Sequence, residues 1–246
     1  MSYGKRCTAS SSLEGYPPAS ASDENIRSWW SAQTGDTGEW FQMDLGKPCK
    51  VHAIQVNFAE EDCHATPPRM TDDFHQYKLL VSADGQQWRL IADKSANRSA
   101  VPHDYIPLPE PDMVRFLKVE NVRMPAAGKF AIRDLRVFGH GGGKPPARVD
   151  SLKVTRHRND DRNVSLKWMP TAGAEGYLLR YGIAPDKLWQ CVQVQDGSRT
   201  SLTLHTLNRG VKYHFRLDAF NDSGLRPGMT YYNGYYRANA ALRLKK

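Results

Sequence analysis

The chain has 246 residues, with 34 Lys and Arg against 26 Asp and Glu, for a formal net charge of +8. Hydrophobic residues make up 40% and charged residues 24%, which excludes a disordered tail or a collagen-like repeat, and no stretch approaches the ~20 apolar residues of a membrane span. At roughly 100–200 residues per domain the length accommodates two domains; the cysteines (Cys7, Cys49, Cys63 and Cys191) are too few and scattered for a disulfide framework.

The N-terminal MSYGKRCTASSS lacks an apolar signal core, so any export leader is expected outside these residues. In VHAIQVNF (Val51–Phe58), Ile54, Val56 and Phe58 alternate with Gln55 and Asn57, which predicts a strand. YKLLVSADGQQWRLI (Tyr77–Ile91) reads as a hairpin turning at Asp84-Gly85, with Trp88 and Leu90 resuming the alternation. Val114–Val119 and Leu135–Val137 continue the period of two, and no long amphipathic helix interrupts it. Cys49, His52, Cys63, His64 and His75 lie close in sequence, but their spacing fits neither a zinc finger nor a ribbon.

GHGGGKPPA (Gly139–Ala147) is the strongest punctuation, and reads as a connector unable to continue a strand or helix. It is no phosphate loop, because Lys144 is followed by Pro145 rather than Ser or Thr. Strands resume at VSLKWMP (Val164–Pro170), AEGYLLRYG (Ala174–Gly182), TSLTLHTL (Thr200–Leu207) and VKYHFRLDAFNDSG (Val211–Gly224), a spacing that suits a second small sandwich. Residues 1–140 hold 16 basic and 18 acidic side chains, whereas 141–246 hold 18 and 8. The positives are spread evenly over the second half without a recognition-helix pattern, so a solvated basic face is expected rather than a nucleic-acid site.

The second half is similar to a fibronectin type III domain: Trp168 matches the early core tryptophan, Leu207 and Tyr213 the tyrosine corner, and Ala219, Asn221 and Gly224 the Ala-x-Asn ending. The first half resembles a discoidin domain, also called the coagulation factor 5/8 type C domain, the fold of the family 32 carbohydrate-binding modules. ASSS (Ala9–Ser12), ASDENIRSWWSA (Ala21–Ala32), GEWFQMDLG (Gly38–Gly46), SADGQQW (Ser82–Trp88) and DLRVFG (Asp134–Gly139) carry that likeness in order. The resemblance implies an all-β chain. A discoidin-like jelly roll of the galactose-binding-domain type spans 1–140, a Gly/Pro linker 141–146, and an immunoglobulin-like fibronectin type III sandwich 147–246. The wording of TGEWFQMDLGK, HQYKLLVSADGQQW and MPAAGKFAIRDLRVFG (Met124–Gly139) further resembles the region after the catalytic domain in bacterial family 43 glycoside hydrolases, which act on xylan and arabinan.

That resemblance implies a non-catalytic, monomeric, extracytoplasmic module pair. Its partners would be a plant cell-wall polysaccharide and a catalytic domain, with no nucleic acid or membrane. An adhesion or protein-interaction module without glycan binding is the alternative. A membrane spike needs apolar loop tips, and ATPPRMTDD (Ala65–Asp73) is mostly polar. Glycoside hydrolysis needs two facing carboxyl groups about 5–10 Å apart, and Glu39, Glu60-Glu61-Asp62 and Asp72-Asp73 read as solvated surface. A structural calcium is implied at Asp23, Asn25, Ser28 and Asp134, with carbonyls from Ser20 or Ala21 and Glu24. Glu24 replaces the family's Gly there, and Asp134 is one carbon shorter than the family's Glu. Trp30, Trp40 and Trp88 are expected in or lining the core. Trp29, leading into the loop SAQTGDTG, is the exposed candidate for sugar stacking. His64, Arg69, His75, His103 and Tyr105 are expected on nearby loops, as hydrogen-bonding partners for a saccharide.

Overall fold

A computed structural model describes residues 1–64 and 73–233 and divides the chain into two compact units, Met1–Gly142 and Gly143–Lys246. The first unit holds β1 (Arg6–Ala9), β2 (Trp30–Ser31), β3 (Trp40–Phe58), β4 (Gln76–Ser82), β5 (Arg89–Asp93), β6 (His103–Arg123) and β7 (Ala131–Gly141). They form one sheet in the order β2-β7-β3-β6-β4-β5, with β1 on the first part of β3. The predicted Val51–Phe58 is the second half of a strand 19 residues long.

Strands that long cannot stay flat, and β3 bends where its pairing with β6 slips between Asp44 and Cys49 and again between Val51 and Ala53. Gly46, at φ 82°, makes the first bend, and its N–H donates to Asp44 Oδ1 (2.8 Å). Arg115 closes the corner with a two-armed pair to Asp44 (2.9 and 3.0 Å), and that hydrogen bonding holds the carboxyl below its ordinary range. The bend lets β3 and β6 serve both layers, so a single sheet folds over its own apolar face as a jelly roll. Inside lie Trp30, Phe41, Met43, Ile54, Val56, Leu79, Leu117 and Phe130. Trp30 crosses Phe130 edge-on at 5.3 Å. Trp40 and Trp88 are half-buried, with Lys118 Nζ 5.6 and 4.0 Å from their rings.

The glycine run departs from expectation: β7 continues through Gly139, His140 and Gly141, which pair with Val51, Lys50 and Cys49. Gly139 is needed there because a Cβ would stand 2.1 Å from the Lys50 carbonyl oxygen. Leu90, on the resumed alternation, is 46% exposed on β5 at the end of the sheet path.

The second unit packs a three-stranded sheet, β8 (Leu152–Arg156), β9 (Val164–Trp168) and β12 (Ser201–Leu204), against a five-stranded one. The latter comprises β10 (Gly176–Gly182), β11 (Gln190–Val194), β13 (Tyr213–Asn221), β14 (Gly224–Arg226) and β15 (Thr230–Asn233). Trp168, Tyr177, Leu179, Phe215 and Leu217 fill the space between them. The Tyr213 hydroxyl accepts from the Asn208 N–H at 3.3 Å, tying the turn after Leu207 to the core. Tyr213→Phe is expected to cost about 1 kcal/mol of stability, read by chemical denaturation, since it removes this hydrogen bond.

Candidate functional site

Because β2, β7 and β3 are neighbours, their ends bring three loops together: 32–39, 59–64 and 124–130. Backbone hydrogen bonds lace them, with Phe130 N–H donating to Thr34 O (3.0 Å) and Lys129 N–H to Glu61 O (2.9 Å). Asn121, fully buried at the end of β6, donates from Nδ2 to the carbonyls of Gly35 (2.8 Å) and Asp36 (2.9 Å). The Thr37 hydroxyl donates to Val122 O at 2.8 Å. Two glycines permit the closest approach: a Cβ on Gly35 would lie 2.0 Å from Gly128 O, and one on Gly128 would lie 2.4 Å from Cys63 Sγ.

Between these loops lies a cleft of about 460 Å³ lined by residues 35–37, 122–124 and 126–128, within the usual size range of small-ligand sites, ~300–1,000 Å³. Its lip carries strain, because Ala126 (φ 49°) and Ala127 (φ 53°) both take left-handed backbone, at about 1–2 kcal/mol each. Arg123 lies over the Phe74 ring at 4.2 Å, so an aromatic face orients its guanidinium at the wall of the cleft. Burial pushes the Glu39 carboxyl upward, but hydrogen bonds from Ser10, Ser11 and Thr34 together outweigh it and hold the group below its ordinary range. Glu39 therefore anchors the loop as an anion and is unsuited to donate a proton. Burial raises the Cys63 thiol, as do Glu60, Glu61 and Asp62, so it stays protonated.

The residues expected to touch a ligand fall into separate places. Trp29 is half-buried beside the loops, its Nε1 donating to Glu61 Oε2 (2.9 Å), with Tyr16 and Arg133 each 5.2 Å away. His64 is exposed at the end of the 59–64 loop. Arg69 lies outside the described residues. His75 corrects its expectation: it is 3% exposed and stacked on Phe58 at 4.1 Å, with both ring nitrogens buried and without a hydrogen-bond partner among the described residues. It packs the core and faces no loop surface. His103 and Tyr105 belong to strand β6, not to a loop, and stand on the open face of the sheet. There His103 Nδ1 meets Asn57 Oδ1 at 3.0 Å, and Tyr105 reaches Phe138 across Ala53 at 5.7 Å. Arg123 and the 126–128 turn had no binding signal in the sequence; glycines in two separate loops, Gly35 and Gly128, were the available clue.

Asp23, Asn25 and Ser28 form a tight loop, with Ser28 Oγ donating to Asp23 Oδ2 (2.7 Å) and the Asn25 N–H to Asp23 Oδ1 (2.8 Å). Asn25 Oδ1 accepts from the Arg27 N–H (3.1 Å). Asp134 is buried on β7, and burial, with Glu24 and Asp23 nearby, pushes it up to about 6 against the opposing pull of Arg136. Arg136 Nη2 contacts both Glu24 Oε2 (2.9 Å) and Asp134 Oδ2 (3.4 Å). Calcium needs six to eight oxygens, and a divalent ion entering here would meet a guanidinium, at about 4 kcal/mol of repulsion per unit charge for a ~4 Å separation near a protein surface. Among the described residues no three His, Cys, Asp or Glu side chains converge on a cation position. As arranged, this donor set does not fit calcium.

The first unit is thus a jelly-roll sandwich whose end loops border a cleft. The family model for the F5/8 type C domain matches residues 6–134, just over half of the sequence, and the chain belongs to that family. No curated protein matches it. Among solved structures, chitosan-binding module 1 from a chitosanase/glucanase of Paenibacillus sp. IK-5 is 17% identical, covering 56% of this chain and 97% of its own, with a TM-score of 0.46. The second chitosan-binding module of that enzyme, in complex with chitotriose, is 19% identical over 56% and 98% at 0.46. The family 32 module of Clostridium perfringens NanJ, in complex with galactose, is 20% identical over 55% and 93% at 0.43.

Proposed function

We propose that the chain is a non-catalytic carbohydrate-binding module pair, in which the F5/8 type C domain holds a saccharide in the cleft between residues 35–37 and 122–128. The second unit is read as a fibronectin type III spacer. The parent would be an extracytoplasmic polysaccharide-degrading enzyme of the family 43 type, and the ligand a plant cell-wall glycan of the xylan or arabinan kind. The observation that carries this reading is the preformed cleft itself. Asn121 and the Gly35–Gly128 contact fix its two walls before any ligand arrives, and Arg123 is among the residues that line it. The wall is polar, so recognition rests on hydrogen bonds rather than on ring stacking.

Affinity electrophoresis in xylan, arabinan and pectin, followed by calorimetry with the matching oligosaccharides, tests it. Retardation in at least one glycan is expected, and Arg123→Ala is expected to weaken binding about tenfold, the worth of one charge-assisted hydrogen bond. Retention by Arg123→Ala with loss in Tyr105→Ala would move the site to the sheet face. No retardation by any glycan would leave the protein-interaction reading in its place. Unaided release of reducing ends is not expected, since Glu39 is held ionised and Cys63 protonated.

A further inference from the structure

We infer that the guanidinium of Arg136 is the resident cation beneath the Asp23–Ser28 loop, and that this domain is folded and complete without calcium. Asp134 on β7 lies within electrostatic reach of two loop carboxylates, Glu24 and Asp23. Such a group is costly unless positive charge is supplied within the site. Arg136 supplies it from the same strand and the same face as Asp134, two residues on, and its Nη2 joins the strand carboxylate to the loop carboxylate. Glu24 takes a left-handed backbone, φ 57°, that a non-glycine residue keeps only when its surroundings hold it. The ion pair to Arg136 provides that hold. Arg133 adds a second positive charge beside Asp134 and fastens the loop by donating to Ile26 O. A planar fork of fixed charge thus does the work of an oxygen-seeking metal, joining loop to sheet.

Calorimetric melting of the whole chain in excess calcium chloride and in excess chelator tests the inference. The unmodified protein is expected to melt at one temperature in both. Arg136→Met is expected to melt several degrees lower in chelator and to recover part of that on adding calcium, because removing the fixed cation leaves the Glu24 and Asp134 carboxylates without their partner. Arg136→Lys, which keeps the charge and gives a second folded reference, is expected to stay indifferent to calcium. A calcium-dependent rise in the unmodified protein, abolished by Asp134→Asn, would overturn the inference. So would an Arg136→Met variant that melts with the unmodified protein and ignores calcium.

Discussion

Replacing Gly35 with alanine is expected to abolish saccharide retention and to lower the melting temperature of the first domain by roughly 10 °C. The new methyl carbon would start 2.0 Å from Gly128 O and 3.1 Å from its carbonyl carbon. Both are main-chain atoms held by other bonds, with Gly128 N–H tied to Pro125 O (3.0 Å) and Lys129 N–H to Glu61 O. Neither can yield by a side-chain rotation, so the 32–39 loop must lift as a whole. Lifting it withdraws the Gly35 and Asp36 carbonyls from Asn121 and leaves a buried amide without acceptors. One such loss costs about 1–3 kcal/mol, and forced overpacking adds a similar amount. Gly142→Ala, where nothing lies within 4 Å, is the control and should be neutral. Binding and melting both unchanged in Gly35→Ala would show that the loop contact does not shape the cleft.

Much of the scaffold was legible because short-range chemistry dictates it. Asp84-Gly85 turns the hairpin since Gly85 accepts φ 77° and Asp84 Oδ1 receives the N–H groups of Gln86 and Gln87. Asp44-Leu45-Gly46 makes a corner for the same kind of reason. The continuous strand β6 was not legible, because Pro107, Pro109 and Pro111 suggest a loop. They are tolerated because Pro109 and Pro111 fall where the register with β3 jumps from Pro107 to Asp112, and β4 joins β6 only from Phe116 onward, so these positions have no ladder to break. The placement of His103 and Tyr105 followed from this. With Asp104 and Ile106 pointing inward, their partners in the alternation had to point out. Arg136 was hidden differently: its role depends on Glu24, more than a hundred residues away and in a rare backbone state. Local pattern carries no trace of such a pair.

Acid is expected to destabilise the first domain through His75, and His75→Phe is expected to remove that loss. Burial depresses the imidazole to about 4, against the partial opposing effect of Asp73. In the unfolded chain the ring titrates near its ordinary value of 6.5. Above that pH it is neutral in both states and contributes no pH dependence. As pH falls from 6.5 the unfolded chain takes up a proton that the folded chain refuses, so stability drops until the folded ring also titrates at about 4. At ~1.4 kcal/mol per unit, the full loss is about 3 kcal/mol. Asp134 works in the opposite sense over nearly the same window. Its folded form, raised to about 6, holds a proton that the unfolded chain has already released, so acidification favours folding through that group. The two partly mask one another in the unmodified protein, and the informative quantity is the difference between it and the variant. Denaturation at intervals between pH 7 and pH 4 should give curves for the two proteins that separate by about 3 kcal/mol toward acid. Phenylalanine keeps the stack on Phe58 and removes two buried nitrogens that have no hydrogen-bond partner among the described residues, so the variant should also hold its stability at pH 7. Curves that run parallel across that interval would mean that the folded ring takes up its proton as readily as the unfolded one, and that the pocket beside Phe58 admits water.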